Sequence, residues 1–312
     1  MKVKVKMQQQ WRDRGYAVAA LEQRQGVVAA LRDQLGVYFE NRPPTNDWGN
    51  NLELYFPTAK LPALNRLAVL PQLLASAQRL LQTDRVRLIQ CVAWPKYGDN
   101  PHDGAASNAS QRMHMDYGNN TMAHPPPWDR PNVASAIVYL DDCNVTGGGT
   151  AVVPRRGDLD PAYRYPYLNM PGVGPFEFVN DRAAAERYMR RANPDGWRLR
   201  QELYDREVQL CPAAGSVLWY RHDVWHRGTP VKRGHVRFVV NMAWAKESAP
   251  VCVWNPGFAQ KMYSAFMREF LPTLSGPQLE SLGFPSKSHP FWTPDTAEAV
   301  ARRYGVDLHS RL

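Results

Sequence analysis

Apolar residues recur at two different spacings along this chain, and the change of spacing separates predicted helices from predicted strands. From residue 17 to residue 39, a strand-like Ala-Val-Ala-Ala-Leu segment leads into an amphipathic helix. A second amphipathic helix is predicted to begin near Pro71, since proline is tolerated in a first helical turn. The apolar positions are Val28, Leu31, Leu35 and Tyr38 in the first helix, and Leu70, Leu73, Leu74, Ala77, Leu80 and Leu81 in the second. Such stripes predict helices that pack against a core.

Between residues 85 and 245 the spacing changes to short apolar runs interrupted by turn residues, which indicates β-strands. Strands are predicted at residues 85–94, 134–140, 149–154, 216–226 and 236–244. In the first strand, strict alternation places Arg87, Ile89, Cys91 and Ala93 on one face, and Val86, Leu88, Gln90, Val92 and Trp94 on the other.

The chain has no Ser/Gly-rich linker, internal repeat or low-complexity tract, so we predict a single domain over residues 1–312. Within it we expect N-terminal helices at about 17–82, a barrel at about 85–245 and a C-terminal helical segment at about 255–312. An insertion at about 155–204 should interrupt the barrel.

Two of these regions have predicted helices with identifiable ends. The insertion should contain a short helix around Asp181–Ala192, followed by a turn at Asn193-Pro-Asp-Gly. The C-terminal segment should contain a helix from Trp254 through Phe270, and a last helix that begins after Thr293-Pro294 and ends near Gly305.

The charge balance is basic, with 38 Lys and Arg against 29 Asp and Glu and a net charge of +9, which favours acidic partners. Part of the excess lies in residues 181–235, which hold eleven basic and seven acidic residues. This region could bind nucleic acid or a phosphorylated substrate, but a salt-bridged, solvated surface has the same composition.

Four cysteines, at positions 91, 143, 211 and 252, are widely spaced and form no CxxC pair, which favours reduced thiols. The longest apolar runs are too short to span a membrane, and the basic first residues lack the apolar run of a signal peptide. We therefore expect an intracellular, cytoplasmic protein; its oligomeric state is not indicated.

Candidate metal ligands occur in the segment Arg112-Met-His114-Met-Asp116. In an extended chain, residues two apart point to the same face, so His114 and Asp116 could reach one ion. With His226 they would form the two-histidine, one-carboxylate triad that leaves positions open on Fe(II). His222 is the closest competitor for the distal position, because it precedes His226 by four residues.

Arg237 lies inside the apolar run Val-Arg-Phe-Val-Val. A buried guanidinium needs an anionic partner, and its planar fork suits a carboxylate. The sequence therefore indicates a carboxylate-binding arginine beside the metal ligands.

This pattern resembles the non-haem Fe(II)/2-oxoglutarate oxygenases, and within them the phytanoyl-CoA-dioxygenase-like family. The resemblance rests on the His114-x-Asp116 pair, the distal His226 and Arg237 eleven residues later. It is supported by Leu140-Asp-Asp with Gly147-Gly-Gly-Thr-Ala-Val-Val-Pro154, and by the opening Trp11-Arg-Asp-Arg-Gly15-Tyr16, so that it extends from about residue 11 to 244. It implies an α+β protein, mainly β with flanking helices, around a double-stranded β-helix (jelly-roll, cupin-like) core.

The resemblance also implies the chemistry. Fe(II) held by His114, Asp116 and His226 would use dioxygen (O2) and 2-oxoglutarate, with Arg237 on the distal carboxylate of this cosubstrate. Because Asp116 is present, hydroxylation is expected; halogenases of this fold lack that carboxylate.

Two further residues are implied cosubstrate contacts. Many relatives have Ser or Thr two residues after the distal histidine, where this chain has Gly228, so the next residue, Thr229, is the candidate for that hydroxyl. Gln90 lies about where relatives place a polar side chain toward the cosubstrate, but an ordinary strand residue would look the same.

Candidates for substrate contact are Tyr117, Asn119, Asn120 and Trp128 in the loop after the ligands, and Trp197 in the insertion, although each could simply pack a loop. A small organic molecule is the expected substrate, and the basic excess favours an anionic one. The alternatives are a nucleic-acid base or nucleotide as substrate, a zinc or manganese hydrolase or isomerase of cupin type, and a metal-free basic binding module.

Overall fold

The computed structural model describes residues 2–22, 24–42, 51–99, 108–116, 128–163, 178–249, 261–262 and 264–312. Its strands are β1 (Tyr16–Ala20), β2 (Val86–Tyr97), β3 (Val133–Tyr139), β4 (Thr150–Val152), β5 (Val208–Leu210), β6 (Ser216–Arg221), β7 (His226–Gly228) and β8 (Val236–Lys246). Its α-helices are α1 (Lys2–Arg14), α2 (Ala29–Phe39), α3 (Pro62–Ala68), α4 (Pro71–Leu81), α5 (Cys143–Thr146), α6 (Arg182–Ala192), α7 (Pro194–Arg206), α8 (Ala265–Phe270), α9 (Gly276–Ser281) and α10 (Pro294–Tyr304).

The strands form two antiparallel sheets. The larger sheet has the order β1-β6-β3-β8-β2, and the smaller has the order β5-β4-β7. The segment at His114 adds to the open edge of β7 through a bridge between His114 and His226. With helices around these two sheets, the predicted α+β fold with a double-stranded β-helix core is confirmed.

One continuous apolar core joins the larger sheet to helices from both ends of the chain. Leu31 of α2, Leu73 of α4 and Met267 of α8 are all at most 1% exposed and belong to this core. The apolar stripes predicted for α2 and α4 are therefore confirmed as core-facing, and only Tyr38 of the predicted positions is partly buried. Burial of these helix faces against the larger sheet stabilises the fold through the hydrophobic effect.

The predicted alternation of β2 is wrong beyond Leu88. The register between β2 and β8 shifts between Leu88 and Gln90, so that Leu88 pairs with Trp244 and Cys91 pairs with Met242. Trp244 and Met242 share a face of β8, which puts Leu88 and Cys91 on one face despite their odd spacing. A bulge inserts one residue into a strand and reverses the facing of every residue after it.

The predicted turn in the insertion is also wrong. The helix predicted around Asp181–Ala192 is present as α6, but Asn193 begins a second helix instead of a loop. Its side-chain oxygen accepts a 2.9 Å hydrogen bond from the backbone N–H of Gly196, and Pro194 occupies the first turn. An Asn-Pro pair can therefore cap a helix as well as start a turn.

The C-terminal helix prediction is confirmed at its far end. The Thr293 hydroxyl caps α10, and Gly305 ends it with a φ of 70°. Of the helix predicted from Trp254 through Phe270, residues 254–260 and 263 lie outside the described residues, and α8 covers its last part. Among the helices that the described residues form, none combines the length and apolar character that crossing a bilayer requires.

Candidate active site

The HxD segment is held against β7 by main-chain hydrogen bonds. The backbone N–H of His114 donates to the carbonyl of His226 at 3.0 Å, and the N–H of His226 donates back at 2.9 Å. The N–H of Asp116 donates to the carbonyl of His222 at 3.2 Å. The His114 and Asp116 side chains thus meet the distant His226 because two extended segments pair.

The ligand atoms of His114, Asp116 and His226 all lie within 4.8 Å of one another. Oδ1 of Asp116 is 3.8 Å from Nε2 of His114 and 3.6 Å from Nε2 of His226. The side chains converge as the sequence pattern predicts, and their ligand atoms face a common point.

The tautomer of both histidines follows from hydrogen bonds to the backbone. Nδ1 of His114 lies 3.0 Å from the carbonyl oxygen of Arg112, and Nδ1 of His226 lies 3.0 Å from that of Val224. A carbonyl only accepts, so Nδ1 carries the proton in each ring and donates it. Each Nε2 is then left with its lone pair toward the shared centre, as a metal requires.

The electrostatics match this arrangement. Burial, together with the neighbouring His226, lowers the pKa of His114 to about 3. Burial alone would raise the pKa of Asp116, but the nearby His226, His222 and His114 rings and a hydrogen bond from Tyr220 outweigh it, so the pKa falls. At neutral pH His114 is therefore a neutral imidazole and Asp116 a carboxylate, and together with His226 they form a donor set that binds divalent transition metals.

Tyr220 orients the carboxylate. Its hydroxyl donates a 2.6 Å hydrogen bond to Oδ2 of Asp116, which leaves Oδ1 facing the histidines. His222, the competing ligand candidate, has its Nδ1 2.6 Å from the Ser135 hydroxyl and is 1% exposed. It is not one of the three residues whose ligand atoms converge.

Arg237 occupies the inward face of β8 opposite Lys96 of β2. It is 9% exposed, and its Nε is buried without a hydrogen-bond partner. Lys96 is 2% exposed, and its ammonium donates to the carbonyl of Thr229 at 3.0 Å. Burial, followed by the charges of Arg237 and Arg227, lowers the pKa of Lys96 to about 7. Among the described residues, no carboxylate forms an ion pair with Arg237 or Lys96.

Lys96 lies outside the strand that the sequence pattern predicts, because that strand ends at Trp94. The strand continues through Pro95 to Tyr97, and alternation places Lys96 on the same face as Trp94. A lysine two positions beyond the assigned strand end was the signal.

The glycine turn and the aspartate pair support Arg237. A Cβ on Gly148 would lie 3.1 Å from Nε of Arg237 and 2.5 Å from Cγ2 of Val231, and its φ is +69°. Oδ2 of Asp141 accepts a 2.6 Å hydrogen bond from the N–H of Phe238, next to Arg237. Gly148 therefore leaves the room that the guanidinium occupies, and Asp141 holds the strand that carries it.

The other predicted cosubstrate contacts are placed as follows. The Thr229 hydroxyl donates to the carbonyl of Gly149 at 2.9 Å, so its proton is already engaged. Gln90 is 8% exposed. It pairs with Ala243 of β8, which pairs with Ser135 of β3, which in turn pairs with Tyr220 of β6, so Gln90 and Tyr220 lie in one row across the sheet. Gln90 is six positions from the row of Arg237, so it neighbours the metal end of the site. Both roles stay predictions.

The predicted substrate contacts are spread. Trp128 contacts two guanidinium groups: Cζ of Arg221 lies 3.7 Å from its ring centroid, and Cζ of Arg155 lies 4.2 Å from it. Trp197 lies on α7 with Arg190 5.4 Å from its ring. Residues Tyr117, Asn119 and Asn120 lie outside the described residues.

Trp128 lines a cavity of about 640 Å³ at the end of α1. Its basic lining residues are Arg12, Arg14, Arg130, Arg155, Arg221 and Lys246, against the acidic Asp13, Asp129 and Asp158. The lining therefore carries more positive than negative charge. Arg221 of this lining lies five residues before His226, and the carbonyl of Val224 between them lies 3.0 Å from Nδ1 of His226.

Solved structures with the same fold share little sequence with this chain. SnoK, a non-haem alpha-ketoglutarate-dependent carbocyclase from nogalamycin biosynthesis, is 16% identical over 83% of this chain and 90% of its own, with a TM-score of 0.55. HygX from Streptomyces hygroscopicus, with nickel and 2-oxoglutarate bound, is 14% identical over 80% and 88%, with a TM-score of 0.52. The epimerase SnoN, in complex with Fe3+, alpha ketoglutarate and nogalamycin RO, is 16% identical over 78% and 84%, with a TM-score of 0.52. These likenesses show the fold.

Sequence comparison is more specific. A search of curated proteins found no match. The family model of phytanoyl-CoA dioxygenase (PhyH), however, matches residues 11–239, which include the three candidate metal ligands and Arg237. The chain belongs to the phytanoyl-CoA dioxygenase family.

Proposed function

We propose that this protein is an Fe(II)- and 2-oxoglutarate-dependent oxygenase that hydroxylates a small organic molecule. Its place in the family and the fold that it shares with such enzymes support an oxygenase of this type. The observation that carries the proposal is the combination of three converging ligands with a buried Arg237 on the adjoining sheet face, which forms no ion pair with any carboxylate of the described residues.

The residues present fit the metal. Two neutral imidazoles and one carboxylate form the donor set that non-haem Fe(II) oxygenases use. Tyr220 holds the Asp116 carboxylate by one oxygen, and backbone carbonyls hold both rings, so the protein fixes all three ligands before the metal arrives.

The residues also fit the cosubstrate. Arg237 and Lys96 together provide a buried, basic end to the site, and a dicarboxylate would supply negative charge there. Buried charges need such a partner, because desolvation otherwise opposes their charged forms. When bound, iron and 2-oxoglutarate supply the oxidising chemistry, which consumes dioxygen and yields succinate and CO2.

We propose an anionic small molecule as substrate. The lining of the cavity at Trp128 supports this class, because its six basic residues outnumber its three acidic ones and a net positive lining attracts anions. No observation on the described residues favours a nucleic-acid base or a metal-free binding module. Five arginines of the basic region are instead ion-paired: Arg198, Arg200, Arg206, Arg221 and Arg227.

The reaction outcome needs a direct measurement. Asp116 provides the carboxylate as the third protein ligand, which supports hydroxylation. Two proteins of the same fold, however, are described as an epimerase and a carbocyclase. We also propose an intracellular location, supported by Cys143 and Cys211, which form no disulfide within the described part of the chain.

The test is anaerobic titration of the metal-free protein with Fe(II) and then 2-oxoglutarate, followed by absorbance. A keto acid chelated to Fe(II) produces a weak visible charge-transfer band. We expect the band in the wild type, its loss in His226→Ala and its weakening in Arg237→Ala. The exposed neighbours supply matched controls, His235→Ala and Arg233→Ala, which should behave as the wild type.

A wild-type protein that binds zinc but gives no band with Fe(II) and 2-oxoglutarate would contradict the proposal and favour the hydrolase or isomerase alternative. If the band forms, oxygen uptake with anionic candidates and mass analysis of the products decide between a gain of one oxygen atom and an isomeric or cyclised product.

A further inference from the structure

The segment that carries His114 is bonded along both of its edges. On one edge it pairs with β7, where the N–H of Gln111 donates to the carbonyl of Gly228 at 3.1 Å. On the other edge, where a further strand would lie, it meets the insertion. There the N–H of Arg112 donates to the carbonyl of Val179 at 3.2 Å.

Side chains of α7 satisfy both peptide groups of Met113, the residue before His114. The N–H of Met113 donates to the Tyr204 hydroxyl at 3.1 Å. The carbonyl of Met113 accepts from Nη2 of Arg200 at 3.2 Å. A buried residue needs hydrogen-bond partners for both its backbone N–H and its backbone C=O. For Met113, two side chains provide the partners that a neighbouring strand would otherwise provide.

A third residue fixes these two side chains. Oε1 of Glu186, on α6, accepts from Nε of Arg200 at 2.9 Å and from its Nη2 at 2.7 Å. The same oxygen accepts from the Tyr204 hydroxyl at 2.8 Å. Because Tyr204 donates to a carboxylate, its hydroxyl is free to accept from Met113, and the direction of the whole chain of hydrogen bonds is set.

We infer that Arg200, Tyr204 and Glu186 are positioning residues for the metal centre. The peptide that they hold lies between Arg112, whose carbonyl orients the His114 ring, and His114 itself. The insertion thus supports one edge of the segment that carries His114, in addition to holding the candidate substrate contact Trp197. The inference rests on the proposed function, because it assumes that His114 binds the metal.

The burial of this network argues against a role in stability alone. Arg200 is 0% exposed, and its Nη1 is left buried without a partner. A buried ion pair with an unsatisfied donor is a poor device for stability, since desolvation offsets much of the attraction. A network that only packed α6 against α7 would not need to reach Met113.

Apolar contacts provide the competing explanation. Met113, Met115, Leu203 and Tyr204 belong to one buried apolar cluster, which could hold the segment without hydrogen bonds. The substitution Tyr204→Phe separates the two explanations, because it keeps the ring in this cluster and removes only the hydroxyl. Arg198→Ala is the matched control, as it removes an exposed ion pair with Asp195 from the same helix.

The experiment measures Co(II) affinity of the full-length protein by anaerobic titration, using the d–d absorption of bound Co(II), with thermal melting of the metal-free protein alongside. We expect Tyr204→Phe to weaken Co(II) binding about tenfold, at the lower end of what outer contacts of metal ligands contribute. Arg198→Ala should leave the affinity unchanged. His226→Ala shows whether the bound Co(II) uses the proposed triad.

Hydrogen exchange of the metal-free variants provides a second measurement that does not depend on metal. Peptides that cover residues 110–116 should exchange faster in Tyr204→Phe than in the wild type, while α10 peptides should not change. If Tyr204→Phe melts far below the wild type, Glu186→Gln is measured in the same way. This variant keeps an acceptor oxygen, so its Co(II) affinity and its exchange at residues 110–116 should lie between those of the wild type and those of Tyr204→Phe.

The outcomes are distinguishable. Co(II) binding that is lost in His226→Ala but unchanged in Tyr204→Phe, with unchanged exchange at 110–116, would overturn the inference and leave the proposed function standing. Co(II) binding that His226→Ala does not weaken would overturn both. Weakened affinity with faster local exchange supports both.

Discussion

Lys96 and Arg237 are direct partners in the antiparallel register of β2 and β8, and both are almost fully buried. Burial is the main cause that lowers the pKa of Lys96 to about 7, and the neighbouring charge of Arg237 lowers it further, since no carboxylate of the described residues forms an ion pair with either side chain. The relationship identifies the end of the site that should receive negative charge, and it makes cosubstrate binding depend on pH.

We predict that 2-oxoglutarate binds more weakly as the pH rises above 7. The bound dicarboxylate should raise the pKa of Lys96, so binding takes up a proton above pH 7 and is strongest below it. The dissociation constant should rise by up to about tenfold per pH unit between pH 7 and 9, as expected for uptake of one proton.

The measurement is a titration of the metal-loaded, oxygen-free protein at several pH values. The charges that face Lys96 are Arg237 on β8 and Arg227 on β7, and Arg227 is neutralised by Glu207. In Lys96→Met the dependence should disappear, whereas the exposed Lys60→Met should retain it. A Lys96→Met variant with the wild-type slope would refute the assignment.

Gly148→Ala should weaken 2-oxoglutarate binding and lower stability. A left-handed backbone alone costs a non-glycine residue about 1–2 kcal/mol. The new Cβ would also lie 2.5 Å from Val231 and 3.1 Å from Nε of Arg237, so the guanidinium must move. We expect a loss of about 2–4 kcal/mol of unfolding free energy and a KM for 2-oxoglutarate raised by roughly tenfold, equivalent to about 1.4 kcal/mol.

Gly157→Ala is the matched control for this prediction. Gly157 has a similar φ of +77°, but a Cβ there would meet nothing within 4 Å. Denaturant unfolding should show only the backbone cost, and the KM should not change. An equal effect of the two variants on KM would indicate that the space beside Arg237 is unimportant.

Tyr220→Phe should weaken metal binding by roughly 10- to 100-fold, the range found when an outer partner of a metal ligand is removed. The variant loses the 2.6 Å hydrogen bond that fixes Oδ2 of Asp116. Isothermal titration with Co(II) measures the affinity. Tyr139→Phe is the control, because Tyr139 is also buried and hydrogen-bonded, to Thr150 at 2.6 Å. If both variants weakened the metal equally, the effect would come from general loosening of the sheet.

His226→Gln and His222→Gln should differ in metal affinity by more than about tenfold. His226 offers Nε2 to the centre, so His226→Gln should weaken metal binding by more than about 100-fold, the upper end of what outer partners of a metal ligand contribute. The ring of His222 instead bonds Ser135, so its loss should weaken binding by about tenfold or less. The reverse order would make His222 the distal ligand.

Several features of this protein were accessible from local sequence alone. Helices α2 and α4 and the end of α10 follow from apolar spacing, a proline start and a glycine stop, all of which act within a few residues. The two-residue spacing of His114 and Asp116 likewise places both on one face of any extended segment. The resemblance supplied His226 and Arg237, whose roles no local rule assigns.

What the sequence did not determine depends on pairing between distant segments. The bulge at Leu88–Gln90 is visible only against β8, and it decides which side chains of β2 face inward. Asn193 could begin either a turn or a helix, and the burial of the face of α7 that carries Arg200 favours the helix. Lys96 becomes a site residue because β2 continues beside Arg237, and Tyr220 because its strand runs past Asp116. Local spacing fixes which side chains can share a face, but burial and pairing, which act between distant parts of the chain, decide which faces meet.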